Sequence, residues 1–271
     1  MKDIAKKIAE FQKKSWAMKP YAAFRWGENM PCPIRFVVNP YKGCDYRHKY
    51  CYVWYKCANA KPKENFRRAL IHDIERAKKL GLDKFLVMLS SSTDPFQPIE
   101  KEYKDSLFAL EHLLANGFSV KIMTRNPIIL LDKEYIALTK NPRLFIDVSI
   151  PSLHENNTDS IFYSPSVPLV LDTIEAIKKL TKLGKDIRVK IEPVVPTVNG
   201  VVGQSEKELY DLIDLLKKAG VKMVIAKTMR LNEDFPPFLY KKLIDYYTKN
   251  GYEQGINMIL SKNLRKKRVC N

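Results

Sequence analysis

One short stretch of the chain concentrates side chains able to hold a soft metal. Asn39-Pro40-Tyr41-Lys42-Gly43-Cys44-Asp45-Tyr46-Arg47-His48-Lys49-Tyr50-Cys51-Tyr52 sets two thiols and an imidazole at gaps of three and two residues. A tight loop with that spacing aims Cys44, His48 and Cys51 at one centre. Thiolate and imidazole suit zinc or iron–sulfur. Cys57 follows six residues past Cys51, whereas Cys32 and Cys270 stand alone. Five cysteines, an odd number, three of them within fourteen residues of a 271-residue chain, fit a disulfide framework poorly. A metal site in a reducing compartment fits better.

A second polar run, Ser90-Ser91-Ser92-Thr93-Asp94-Pro95-Phe96-Gln97-Pro98-Ile99-Glu100, offers hydroxyls and a carboxylate. Its plainest reading is a proline-rich turn capped by Asp94. Arg125 and Ser149 follow further apolar runs in the same way. The net charge of +17, from 47 Lys+Arg against 30 Asp+Glu, favours polyanions in general. Lys42, Arg47, Lys49, Lys56, Lys61 and Lys63 interleave with Tyr46, Trp54, Tyr55 and Phe66 around the cysteines. Cations mixed with aromatics suit a nucleic acid.

These residues need elements to position them. Strand-like runs at 34–40, 84–90, 119–124, 144–150, 187–193 and 222–227 alternate with helical patterns. The helices are read over 65–80, 101–116, 132–139, 169–183, 205–219 and 237–250. Strict alternation predicts a parallel sheet with helices outside, either an open doubly wound sheet or a partial TIM-like barrel. No glycine-rich phosphate loop follows the first strand, which counts against a dinucleotide-binding sheet. In either closure the working residues lie just past the C-terminal ends of the strands. Cys44 to Cys51, Ser92 to Asp94, Arg125 and Ser149 all satisfy that rule.

The flanking residues carry a resemblance. Asn39-Pro40-Tyr41 before Cys44, Tyr50-Cys51-Tyr52, and Thr93-Asp94-Pro95-Phe96-Gln97-Pro98-Ile99-Glu100 together are similar to the radical S-adenosylmethionine (SAM) superfamily, in its spore photoproduct lyase-like branch. His48 stands where that family has its second cysteine. The resemblance runs from about Arg35 to Leu231 and implies a single-domain α/β fold, a partial TIM-like (β/α)6 barrel of parallel strands. It divides the chain into an N-terminal helical extension (1–31), the barrel core (32–231) and a C-terminal helix with a basic tail (232–271).

The resemblance further implies a radical SAM enzyme. A [4Fe-4S] cluster held by Cys44, Cys51 and a third ligand would leave one iron for S-adenosyl-L-methionine, whose reductive cleavage starts hydrogen abstraction. Three outcomes stay open: His48 as third ligand, Cys57 in its stead, or no stable cubane. By resemblance Tyr50 packs near adenine, Ser92, Thr93 and Asp94 approach the methionyl end, Arg125 meets the SAM carboxylate, and Ser149 lies near the ribose hydroxyls. An electron-donor protein and an anionic substrate, nucleic acid among the candidates, are the implied partners. The alternative is a degenerate barrel that keeps a structural zinc or a weakened cluster and binds nucleic acid or a protein. Neither a secretory signal nor an apolar run of about 20 residues is read in the sequence, so the expectation is a cytoplasmic protein away from membranes.

Overall fold

A computed structural model of the chain describes residues 2–21, 34–51, 59–158, 160–195 and 203–228, with helical positions 241, 245, 248 and 249 beyond. Cys32, Cys57, Cys270, Trp54, Tyr55, the basic run 265–268 and most of the helix expected over 237–250 lie outside the described residues.

The main sheet has seven strands: β1 (Met18–Tyr21), β2 (Arg35–Val38), β5 (Val87–Leu89), β6 (Val120–Thr124), β7 (Leu144–Ser149), β8 (Ile187–Val194) and β9 (Met223–Thr228). Their spatial order is also their chain order. The last six are mutually parallel, and β1 joins β2 antiparallel. A doubly wound sheet reverses its strand order at a switch point. This one never does, so the closure is that of a partial barrel wound in one direction. A separate two-stranded hairpin pairs β3 (Tyr41–Lys42) with β4 (Lys61–Pro62).

Alternate strand residues point to opposite faces. Val120 and Ile122, Leu144, Ile146 and Val148, and Ile187, Val189 and Ile191 are buried in one apolar core. They meet the helices α2 (Phe66–Lys79), α4 (Asp105–Ala115), α6 (Val170–Lys182) and α7 (Glu206–Lys218) through Leu70, Leu110, Ile177 and Leu212. α2 buries Phe66, Leu70, Ile74 and Ala77, the stripe expected from the 3.6-residue period.

Two expectations are revised. The helix read over 101–116 breaks into α3 (Glu100–Tyr103) and α4, because Lys104 adopts a left-handed conformation with φ of 53°. The Glu100 carboxylate accepts from Ser106 N at 3.0 Å and Leu107 N at 2.9 Å, so it caps α4 from the preceding turn. The N-terminal segment is not wholly helical. α1 (Lys2–Lys14) is followed by β1, tied down by the fully buried Asp73, whose Oδ2 accepts from the backbone of Trp16, Ala17 and Met18 at 2.7–2.9 Å.

Candidate functional site

The loop from Asn39 to Cys51 leaves the C-terminal end of β2. Gly43, with φ of 77°, lets the chain turn into Cys44 through a region that side chains resist. The segment 90–100 leaves β5 beside it and takes hold of it residue by residue. Ser91 N donates to Asn39 Oδ1 at 3.0 Å. The Tyr41 hydroxyl donates to Glu100 and accepts from Asp105 N at 3.1 Å. Gln97, 1% exposed, accepts from Asp45 N at 2.9 Å and donates to the Gly43 carbonyl at 3.3 Å, so one amide brackets Cys44 from both sides. The Tyr46 hydroxyl donates to the Phe96 carbonyl at 2.8 Å. Glu100, besides capping α4, accepts from Tyr135 at 2.7 Å.

Asp94 ties the β5 and β6 ends together. It accepts from Phe96 N and Thr124 Oγ1 at 2.8 Å and from Arg125 N at 2.6 Å. Burial pushes its carboxyl up to about 6 against these donors. Burial, together with Asp94, pushes the Cys44 thiol up to about 12.

The second half of the loop rests on other elements. Cys51 N donates to His48 O at 3.0 Å. The His48 ring lies 5.0 Å from Tyr50 at a tilt of 31°, and Tyr50 lies 5.6 Å from Phe162. Lys49 Nζ donates to the carbonyls of Thr158 at 2.9 Å and Ser160 at 3.4 Å. Burial, reinforced by the Arg125 charge, holds the His48 imidazole neutral, well below its ordinary value. Its Nε2 is buried and has no hydrogen-bond partner among the described residues.

Arg125, only 6% exposed, donates to Tyr50 Oη at 3.3 Å and forms an ion pair with the buried Glu155. Burial alone would lower its pKa, but Glu155, Tyr50 and Asp94 more than offset this and hold it charged. Burial pushes the Glu155 carboxyl up to about 7, with Arg125 pulling the other way. Ser92 is exposed, Thr93 Oγ1 is buried without a partner among the described residues, and Ser149, half-buried, sits in register with Lys190 at the end of β7.

The structure thus gathers Cys44, His48, Tyr50, Cys51, Asp94 and Arg125 into one neighbourhood. Cys44 and Cys51 are half-buried cysteines close enough for Cys51 to influence the charge of Cys44. Among the described residues no three of His, Cys, Asp and Glu converge to hold a single metal ion. Sequence reasoning missed Glu155, which no spacing or motif marks.

No family model matches the chain. An uncharacterised protein of Methanocaldococcus jannaschii is 24% identical over 252 residues, which cover 87% of this chain and 83% of that one. An uncharacterised protein of Mycobacterium tuberculosis is 25% identical over 69% of this chain, and the match spans only 56% of its own length. A radical SAM Nα-GlyT isomerase of a Pseudomonas phage is 27% identical over 59% of this chain and 34% of that one. Among solved structures, SuiB of Streptococcus suis superposes with a TM-score of 0.52 at 18% identity, covering 79% of this chain and 46% of SuiB. Spore photoproduct lyase, solved with SAM and a dinucleoside spore photoproduct, gives 0.57 at 15% identity, covering 76% of this chain and 60% of the lyase. These structural neighbours are radical SAM enzymes, and the chain has their fold. No helix among the described residues is long and apolar enough to cross a membrane.

Proposed function

We propose that the chain is a radical SAM enzyme that holds a [4Fe-4S] cluster through Cys44, Cys51 and His48. The observation that carries this reading is the brace on Cys44: the 94–100 segment fixes the loop at the open end of the barrel before any ligand arrives. The donor set fits a cubane. Ligands to one zinc must crowd around a single point, whereas those of a cubane each take a separate iron. His48 Nε2, buried on a ring held neutral, has no hydrogen-bond partner among the described residues and so is a donor open to a metal. Burial and the neighbouring Asp94 favour the protonated Cys44 thiol, and bound iron would reverse that preference.

When bound, cluster and SAM together would supply the radical that abstracts hydrogen. The chain's own residues would orient the ligands and exclude water. Tyr50, packed against His48 at a tilt, is positioned to pack a flat ring at the barrel mouth. Ser92 and Ser149 offer hydroxyls at the rim, and Thr93 an unpaired one just beneath. Asp94 would act on SAM indirectly, by fixing the ends of β5 and β6. Arg125 would reach the SAM carboxylate only by sharing its guanidinium with Glu155. Relatives of this fold have been solved with a peptide and with a dinucleoside. The basic charge supports an anionic substrate here, delivered together with an electron from a donor protein.

Anaerobic purification and metal analysis test the reading. Brown protein with iron and sulfide in equal amounts, lost in both Cys44→Ala and Cys51→Ala, is expected. Colourless protein with one zinc would favour a degenerate barrel. His48→Cys should raise the yield of 5′-deoxyadenosine under dithionite, because a third thiolate lowers the cluster potential.

A further inference from the structure

The face of the sheet turned away from the helices carries a second concentration of charge, unused by the ligand loop. On it the fully buried Asp147 is held by two cations from the neighbouring strands. Lys121 Nζ lies 2.7 Å from Oδ2, and Arg188 Nε and Nη2 lie 2.8 and 2.7 Å from Oδ1. Two residues further along β8, about 6–7 Å towards the open end, the pattern repeats. Lys190 Nζ lies 3.3 Å from Glu192 Oε2, and Lys227 Nζ lies 3.7 Å from Glu192 Oε1. Each carboxylate is therefore matched by two cations, leaving an excess of two positive charges.

Balancing a buried carboxylate takes one cation. Withdrawing a second from water costs free energy that no further partner among the described residues offsets. Yet the Lys121 and Lys190 side chains are only 19% and 13% exposed. Surplus positive charge on a recessed face concentrates the field felt by an anion. The upper group also has a direction. Lys190 pairs in register with Ser149, so it borders the rim where the ligand loop sits.

We infer that Lys190 and Lys227, backed by Arg188, bind a phosphate group of the substrate. The excess of two charges, one from each of the two groups, matches the roughly −1.5 to −2 of a phosphate monoester, whose three oxygens suit lysine donors. Glu192 is the resident competitor: it orders both lysines without ligand and weakens their hold on an anion. Calling this a substrate subsite rests on the radical SAM reading, but the anion binding does not, because it is measurable on protein carrying no cluster.

The test titrates inorganic phosphate into the cluster-free full chain by calorimetry, with ionic strength fixed by chloride. Saturable binding is expected, about tenfold weaker in Lys190→Gln and in Lys227→Gln, the loss of one charge-assisted contact. Lys222→Gln removes the same charge from an outward pair with Asp186, both side chains 83% exposed, and should leave the affinity unchanged. Glu192→Gln should tighten phosphate binding, a direction that a purely structural role would not produce. Should Lys190→Gln fail to fold, Lys227→Gln, at a side chain 59% exposed, carries the comparison. No saturable binding, equal weakening by Lys222→Gln, or weaker binding in Glu192→Gln overturns the inference. Phosphate binding in protein that never takes up iron would leave the anion site standing and remove only its assignment to the radical reaction.

Discussion

The two halves of the ligand loop are held by different physics. From Asn39 to Tyr46 the loop is gripped through short hydrogen bonds to Ser91, Phe96, Gln97 and Glu100, all near or within one buried turn. From His48 to Cys51 it leans on tilted ring contacts, a lysine reaching two carbonyls, and the Arg125–Glu155 ion pair. The first half is held by amides, hydroxyls and one buried carboxylate, Glu100. The second depends in part on Glu155, a carboxylate that burial pushes up to about 7. Ligands to one centre thus arrive from a rigid support and from an adjustable one, and the contrast is open to experiment.

The largest effect should come from Glu100→Ala. It strips the acceptor from Tyr41, Tyr135, Ser106 N and Leu107 N at once. With about 1–3 kcal/mol for each buried group left unpaired and partial relaxation, a loss on the order of 4 kcal/mol is expected in urea unfolding. A loss below about 1 kcal/mol would mean that the first half has no such brace. Gln97→Ala should cost less, about 2 kcal/mol, while exposing Cys44. Faster alkylation of Cys44 than of Cys51, relative to the parent chain, is the expected signature. Equal acceleration at both thiols would place Gln97 in general stability and not in the grip on Cys44.

The second half should respond to pH. The folded pKa of Glu155 is pushed up to about 7, above the ordinary carboxylate range. Between roughly pH 4.5 and 7 the folded state therefore holds a proton that the unfolded state has released. This contribution favours folding at low pH and fades as pH rises to about 7. Glu155→Gln should flatten that part of the stability–pH curve. A slope unchanged by the substitution would assign it to other groups.

Much of this was legible in the residues, and the gaps have physical reasons. Apolar runs located all six parallel strands; for β6, β7 and β8 the reason is the buried face that the helices cover, whereas β9 is largely exposed. β1 escaped notice: its four residues, Met-Lys-Pro-Tyr, carry little pattern, and a carboxylate 55 residues away holds Met18 in place. The 93–100 run was visible as a block, yet its bonding roles were not. Asp94, Gln97 and Glu100 turn out to face the cysteine loop and the neighbouring strand end. By resemblance Arg125 meets the SAM carboxylate; its buried ion pair with Glu155, 30 residues on, follows no local rule. The charged face was hidden for a similar reason. Lys121, Asp147, Arg188 and Lys190 are ordinary alternating residues until neighbouring strands bring them together.

The smallest expected effect concerns Lys49. Its ammonium bonds the carbonyls of Thr158 and Ser160 at the surface, so Lys49→Ala should cost under about 1 kcal/mol. Global stability will barely register it, and the informative measurement is local. Those two bonds tie the His48–Cys51 half to the segment that carries Phe162, which in turn packs on Tyr50. Without them, amide exchange at residues 155–163 and at Cys51 should quicken, because local opening needs less free energy than global unfolding. Exchange at Asp45 should not change, since its amide is held by Gln97, away from these contacts. Acceleration confined to the second half would sharpen the contrast between the two supports. Equal acceleration at Asp45 and Cys51 would break it, showing that the loop opens as one unit.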